Sequence, residues 1–182
     1  SPPTYHQGAV LFGSAAGTVT SLRATDGALS WRFRAAPEDL RHMAFEQLES
    51  VWPVSGNVLV RDGSAYFVAG RSNFLDGGLR FYRLNANTGE ILAQTSINEI
   101  DPDKGDNLQD RHQILNMPVG LTDVLSCDGE FIYMRSQKFD LNGKRIDIGP
   151  HSGNSATQGS VQKGEGVHLF SPTGFLDGDW FH

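Results

Sequence analysis

Short apolar segments separated by turn-forming dipeptides run along most of this chain. Hairpin-type pairs that end in glycine occur at Asp26-Gly27, Asp62-Gly63, Thr88-Gly89, Asp128-Gly129 and Asn142-Gly143. Glycine adopts positive φ without strain, and Asp or Asn before it tolerates the left-handed region, so these pairs are typical of tight β-hairpins. The pattern therefore predicts an all-β chain of many short antiparallel strands.

The turns alternate between two kinds. Turns of the first kind each precede a continuous apolar strand and lie at Gly8, Gly63 and Gly129. Turns of the second kind each end a more mixed strand, and their three copies are Leu22–Gly27, Leu84–Gly89 and Phe139–Gly143. Two linked hairpins make a four-stranded antiparallel sheet, and such a sheet repeating about every 40–50 residues, with insertions, indicates a propeller blade. We expect the second-kind glycines, Gly27, Gly89 and Gly143, to lie at outer hairpins.

The sequence thus predicts a single partial β-propeller segment over residues 1–182, with about three to four blades. The predicted blade units cover approximately residues 5–50, 51–118 and 119–165, and a further unit starts at 166–182. Closed propellers typically have about four to eight blades, so we expect an exposed blade face that the remainder of a propeller, or another protein, covers.

One short helical insertion is predicted at Pro37–Ser50. Proline suits the first turn of a helix, and the acidic residues after it favour the positive end of the helix dipole. The apolar residues Leu40, Met43, Ala44 and Leu48 would share one helical face.

The segment Gly17–Trp31 resembles the repeat of the pyrroloquinoline-quinone (PQQ) dehydrogenase propeller family, through its Leu-x-Ala-x-Asp-Gly turn and the tryptophan that follows. In that family the tryptophan packs between adjacent blades, and the resemblance implies the same structural role for Trp31. The second copy has Ala93 near that place, and the third copy has no tryptophan.

A narrower resemblance is to bacterial proteins with PQQ-binding-like propeller repeats, both quinoprotein dehydrogenase-like and outer-membrane assembly lipoprotein-like. The segments that carry it are Glu49–Val54, Ala69–Gly78 and Phe175–Gly178. It implies a location in the periplasm, in the cell envelope or outside the cell.

Composition and charge narrow the function. The chain has a formal net charge of −6, which disfavours nucleic-acid binding, because a basic face is the usual footprint of that function. No apolar run approaches the roughly 20 residues that span a membrane, so no transmembrane segment is predicted.

The chemical motifs are few. A quinoprotein dehydrogenase often has a vicinal cysteine pair beside its quinone, and the single Cys127 rules that pair out. The acidic loop with Asp101, Asp103 and Asp106 is the only calcium candidate, and as an EF-hand it fails, since Asp106 stands where the turn needs glycine. We therefore predict no metal site, no catalytic residues and no resident cofactor, with PQQ and Ca²⁺ as the alternative that the resemblance implies.

The best candidate for ligand binding is a polar set after an inner strand: Glu49, Trp52, Arg71, Asn73 and Asp76. A structural ion pair between Arg71 and Asp76 is the favoured alternative for two of them. The leading functional hypothesis is a non-catalytic binding or assembly scaffold within a larger exported bacterial protein. The rivals are one sector of a PQQ-dependent alcohol or sugar dehydrogenase, and a propeller that binds carbohydrate or peptide.

Overall fold

The computed structural model of the chain describes residues 1–44, 46–73, 75–98, 100, 104–105, 122–134 and 137–146. These residues form three antiparallel sheets of four strands each, which follow one another along the chain, and one two-stranded hairpin. The first sheet consists of β1 (Thr4–His6), β2 (Ala9–Gly13), β3 (Thr18–Arg23) and β4 (Leu29–Arg34). After the hairpin of β5 (Arg41–Ala44) and β6 (Gln47–Ser50), the second sheet consists of β7 (Leu59–Arg61), β8 (Ser64–Ala69), β9 (Leu79–Asn85) and β10 (Ile91–Ile97). The third sheet consists of β11 (Leu125–Cys127), β12 (Ile132–Met134), β13 (Gln137–Phe139) and β14 (Arg145–Ile146).

The two kinds of turn occupy two fixed places in every sheet. The first-kind glycines join the first and second strands of their sheets, and the second-kind glycines join the third and fourth strands. Gly27 and Gly89 have φ values of 73° and 76°, in the left-handed region that a side chain would strain. Each sheet therefore runs up and down in sequence order, which requires only short connections.

The second sheet lies between the other two. Strand β8 is buried along its whole length, and its residues alternate between two separate apolar clusters. Ala65 and Phe67 pack into the cluster shared with the first sheet, whereas Tyr66 and Val68 pack into the cluster shared with the third. Since successive side chains of a strand point to opposite faces, this alternation means that consecutive sheets stack face to face. The continuous apolar run in the sequence reflects this burial on both faces.

The predicted helix at Pro37–Ser50 is wrong: the segment contains the hairpin of β5 and β6. The turn between these strands has Glu46 at a φ of 64°, outside the helical region. Met43 and Leu48 face each other across the hairpin and are 70% and 60% exposed, so no buried surface supports a helical face. A short helix without such packing is marginal in water, and the hairpin gains ladder hydrogen bonds instead.

Within the described ranges, no helix is long and apolar enough to cross a membrane. The predicted fourth unit at 166–182 lies outside the described residues.

Candidate functional site

The candidate ligand residues lie around a buried connection between the first two sheets, the strap, Ser50–Val54. Its backbone bonds to both sheets: the amide of Ser50 donates to the Ala15 carbonyl at 2.9 Å and that of Val54 to the Ser14 carbonyl at 3.0 Å. At its other side, the amide of Gly70 donates to the Pro53 carbonyl at 2.9 Å. The strap thereby ties the β2–β3 turn to the loop that follows β8.

Trp52 is the central side chain of the strap and is 4% exposed. Its indole Nε1 donates to the Asp76 carbonyl oxygen at 3.1 Å, and its backbone amide donates to Ser50 Oγ at 3.1 Å. Because the ring belongs to the core between the first two sheets, it has no free face on which a sugar could stack.

Arg71 and Asp76 form an ion pair within the loop that follows β8. Arg71 Nη2 lies 2.6 Å from Asp76 Oδ2, and the two side chains are 33% and 26% exposed. The pair brackets a sharp turn in which Asp76 has a φ of 55° and Gly77 a φ of 74°. A partly exposed pair of this kind contributes about 0–1 kcal/mol, so its main effect is to hold the turn whose carbonyl accepts the Trp52 indole.

The other two candidates are placed differently. Asn73 is 3% exposed in the same loop and accepts a hydrogen bond from Ser72 Oγ at 3.4 Å. Glu49 lies on β6 opposite His42, and it has no hydrogen bond to the other four candidates. The structure therefore brings Trp52, Arg71 and Asp76 into contact with one another through Asp76, with Asn73 in the same loop. Glu49 is not part of this group.

The calcium candidates Asp101, Asp103 and Asp106 lie outside the described residues. In the part of the chain that is described, no three His, Cys, Asp or Glu side chains are grouped so as to hold a metal ion. Cys127, the single cysteine, is half-buried, and its Sγ lies 2.8 Å from Arg61 Nη1, which donates to it.

At each of the two junctions between consecutive sheets, an aromatic ring of one sheet lies on the second-kind glycine of the next. Trp31 of β4 is 8% exposed, and its Nε1 donates to the Ala86 carbonyl at 3.0 Å. A Cβ added to Gly89 would lie 2.8 Å from the Trp31 ring, and one added to Gly143 would lie 2.4 Å from the ring of Phe81. Both turns need glycine because an aromatic ring of the preceding sheet occupies the side-chain position.

Face-to-face stacking of consecutive four-stranded antiparallel sheets, each clamped to the next by an aromatic ring, is the arrangement of propeller blades. The described part of the chain is a β-propeller segment.

No protein-family model matches the segment, and no curated protein matches it. Solved structures similar to it include BamB from Moraxella catarrhalis (14% identity, TM-score 0.47, covering 79% of this chain and 36% of that one). They also include a quinohaemoprotein alcohol dehydrogenase from Pseudomonas putida (17%, 0.47, 79% and 19%) and a europium-containing methanol dehydrogenase (16%, 0.43, 57% and 16%). The propeller segment thus spans well under half the length of each of these proteins. The assignment of its fold is based on its own sheet geometry.

Two contacts between sheets escaped the sequence analysis. The side chain of Asn57 bonds to both backbone groups of Leu125: Nδ2 donates to its carbonyl at 3.2 Å, and Oδ1 accepts from its amide at 2.7 Å. Thr4 Oγ1 donates to the Val58 carbonyl at 2.6 Å. These bonds tie β1 and β11 to the two residues that lead into β7. The polar stretch Ser55-Gly56-Asn57 before a strand is the signal that marks Asn57, although its partner lies 68 residues away.

Proposed function

We propose that this chain is a non-catalytic segment of a larger β-propeller protein and acts there as a binding or assembly scaffold. The observation that carries the proposal is the face of the first sheet that points away from the second. That face resembles the face of the second sheet that the first sheet covers, so we infer that another sheet of the same type covers it.

The apolar residues on this face have buried counterparts in the second sheet. Phe67 and Leu84 are fully buried against the first sheet. In the repeat alignment their counterparts are Phe12 and Leu22, which are half-buried. Leu29, paired with Leu22 across β3 and β4, is 56% exposed. Covering this face would remove apolar area from water, and each Å² removed would stabilise the covered state by about 25 cal/mol.

The turn at Gly27 supports the same inference. Its backbone is built like its counterpart at Gly89, since the amide of Ala24 donates to the Gly8 carbonyl just as that of Ala86 donates to Gly63. Yet no atom of the described residues lies within 4 Å of a Cβ built on Gly27. A sheet that carries an aromatic residue like Trp31 would place its ring there.

Light scattering and urea unfolding of the full chain test this proposal. We expect a chain that self-associates, and we expect Leu22→Asp to abolish that association because a carboxylate on the face cannot be buried without a partner. Leu92→Asp is the matched control, since Leu92 is 50% exposed on β10, away from this face. A monodisperse monomer of high stability, unchanged by Leu22→Asp, would contradict the proposal.

A direct titration distinguishes the proposed scaffold from the rival function, a sector of a PQQ-dependent dehydrogenase. Adding PQQ and Ca²⁺ to the full chain, while following quinone absorbance and dye reduction, should give neither saturable binding nor turnover. Saturable binding with turnover would establish the rival. We further propose a location in the periplasm, in the cell envelope or outside the cell, which fractionation of cells producing the protein would test.

A further inference from the structure

We propose that the hairpin of β5 and β6 binds an extended, basic segment of another protein by adding it as a third strand along β5. This site is separate from the face of the first sheet that points away from the second, and the proposal does not depend on the scaffold function.

The backbone of β5 has an open edge. The amide of Val51 donates to the Leu40 carbonyl inside the hairpin, whereas the amide of Ser50 points out of it, to the Ala15 carbonyl. Inward and outward groups alternate along an antiparallel pair, so the N–H and C=O groups of Arg41 and Met43 point away from β6. Strand β5 pairs with β6 alone, and none of the described residues bonds to these outward groups. Within the described ranges they form a row of unbonded donors and acceptors, which an added strand can use.

One face of the hairpin carries an exposed apolar pair. Met43 and Leu48 are directly paired and are 70% and 60% exposed. A hairpin of two strands is marginally stable by itself in water, so a third strand would also stabilise it. An added strand with aliphatic residues at alternate positions would cover this patch.

The negative charge around the hairpin indicates which kind of segment would bind there. Residues 37–49 contain four acidic side chains and one arginine, and Arg41 is already paired with Asp39 at 3.0 Å. Glu38 and Glu46 are exposed near the two ends of β5. A second copy of this acidic chain would bring like charges together, whereas lysines or arginines flanking the added strand would be attracted. At the β5 edge, the charges therefore favour a basic partner over a second copy of this chain.

A short fluorescein-labelled peptide of alternating lysine and valine provides the probe, with anisotropy as the readout on the full chain. We expect saturable, salt-sensitive binding, and binding about tenfold weaker or more for an alternating glutamate–valine peptide and for a lysine–valine peptide with alternate N-methylated amides.

Variants locate the site on β5. Met43→Pro removes an outward N–H that the hairpin does not use, and should weaken binding about tenfold or more. Met43→Ser with Leu48→Ser removes the apolar patch without a backbone change and should weaken binding likewise, whereas Leu92→Ser should not. Unchanged binding in both hairpin variants, equal binding of the glutamate peptide, or no binding of the lysine peptide would overturn the proposal. So would a dimer in light scattering that the double serine variant dissociates, because the occupant would then be a second copy.

Discussion

Replacing Trp31 by alanine tests the packing of the first sheet against the second most directly. The side chain is 8% exposed, so nearly all of its surface is removed from water. A buried indole of roughly 200 Å² gives about 5 kcal/mol at 25 cal/mol per Å², and a compact unfolded chain lowers this by roughly 10–40%. The lost hydrogen bond to the Ala86 carbonyl adds about 1 kcal/mol. We therefore expect Trp31→Ala to lower the free energy of unfolding by about 4–5 kcal/mol, at the upper end of what truncation of a buried tryptophan usually costs.

A double-mutant cycle with Gly89 separates this contact from general damage to the core. Gly89→Ala alone should cost about 2–4 kcal/mol, because the new Cβ lies 2.8 Å from the Trp31 ring and φ is 76°. In the Trp31→Ala background the ring is absent, and only the backbone strain of about 1–2 kcal/mol should remain. Urea unfolding followed by far-UV circular dichroism measures all four proteins. Equal costs of Gly89→Ala in the two backgrounds would refute the stacking of the indole on this turn.

Three further predictions concern single polar groups. Ser21 is fully buried and its Oγ has no hydrogen-bond partner among the described residues, so Ser21→Ala should leave the stability to urea unchanged or raise it by about 1 kcal/mol; a clear loss would reveal a partner for the hydroxyl. Burial acts to raise the pKa of Asp128, but hydrogen bonds from backbone amides and from Tyr133 outweigh it and lower this pKa. Its carboxylate therefore stabilises the fold above the unfolded pKa of about 4, so Asp128→Asn should destabilise at neutral pH and the difference should vanish in more acidic urea titrations. Burial raises the pKa of Tyr82, whose hydroxyl donates to the Ala35 carbonyl at 2.8 Å; alkaline unfolding above about pH 10 should lessen in Tyr82→Phe, and an unchanged alkaline limb would contradict this.

Local turn chemistry made the sheets predictable. Glycines such as Gly63 and Gly89 indicate a positive-φ backbone conformation, which depends on few neighbouring residues. The apolar run in β8 indicates a strand that is buried on both faces. The hairpin of β5 and β6 was mispredicted because the spacing of Leu40, Met43 and Leu48 fits a helical face, although what decides the conformation is whether a surface exists to bury that face.

The candidate site was predictable only in part, for a similar reason. Proximity in sequence suggested that Arg71 and Asp76 could pair, and they do. The partner of the Trp52 indole is the backbone carbonyl of Asp76, and a backbone group carries no signal in the side-chain pattern. The contact between Asn57 and Leu125 joins residues of different sheets, which a single sequence cannot relate.

The two aromatic–glycine contacts differ in where the ring originates. Gly89 receives Trp31 from the fourth strand of the sheet before it, whereas Gly143 receives Phe81 from the third strand, where Phe81 is paired with Thr95 of β10. The neighbouring sheets are therefore not interchangeable parts. In a shuffled gene that placed the third sheet directly after the first, Trp31 would meet a turn shaped for a ring arriving from another strand. The ring and the turn at each junction are therefore matched to each other. The packing between the sheets thus depends on the order in which the repeats follow one another along the chain.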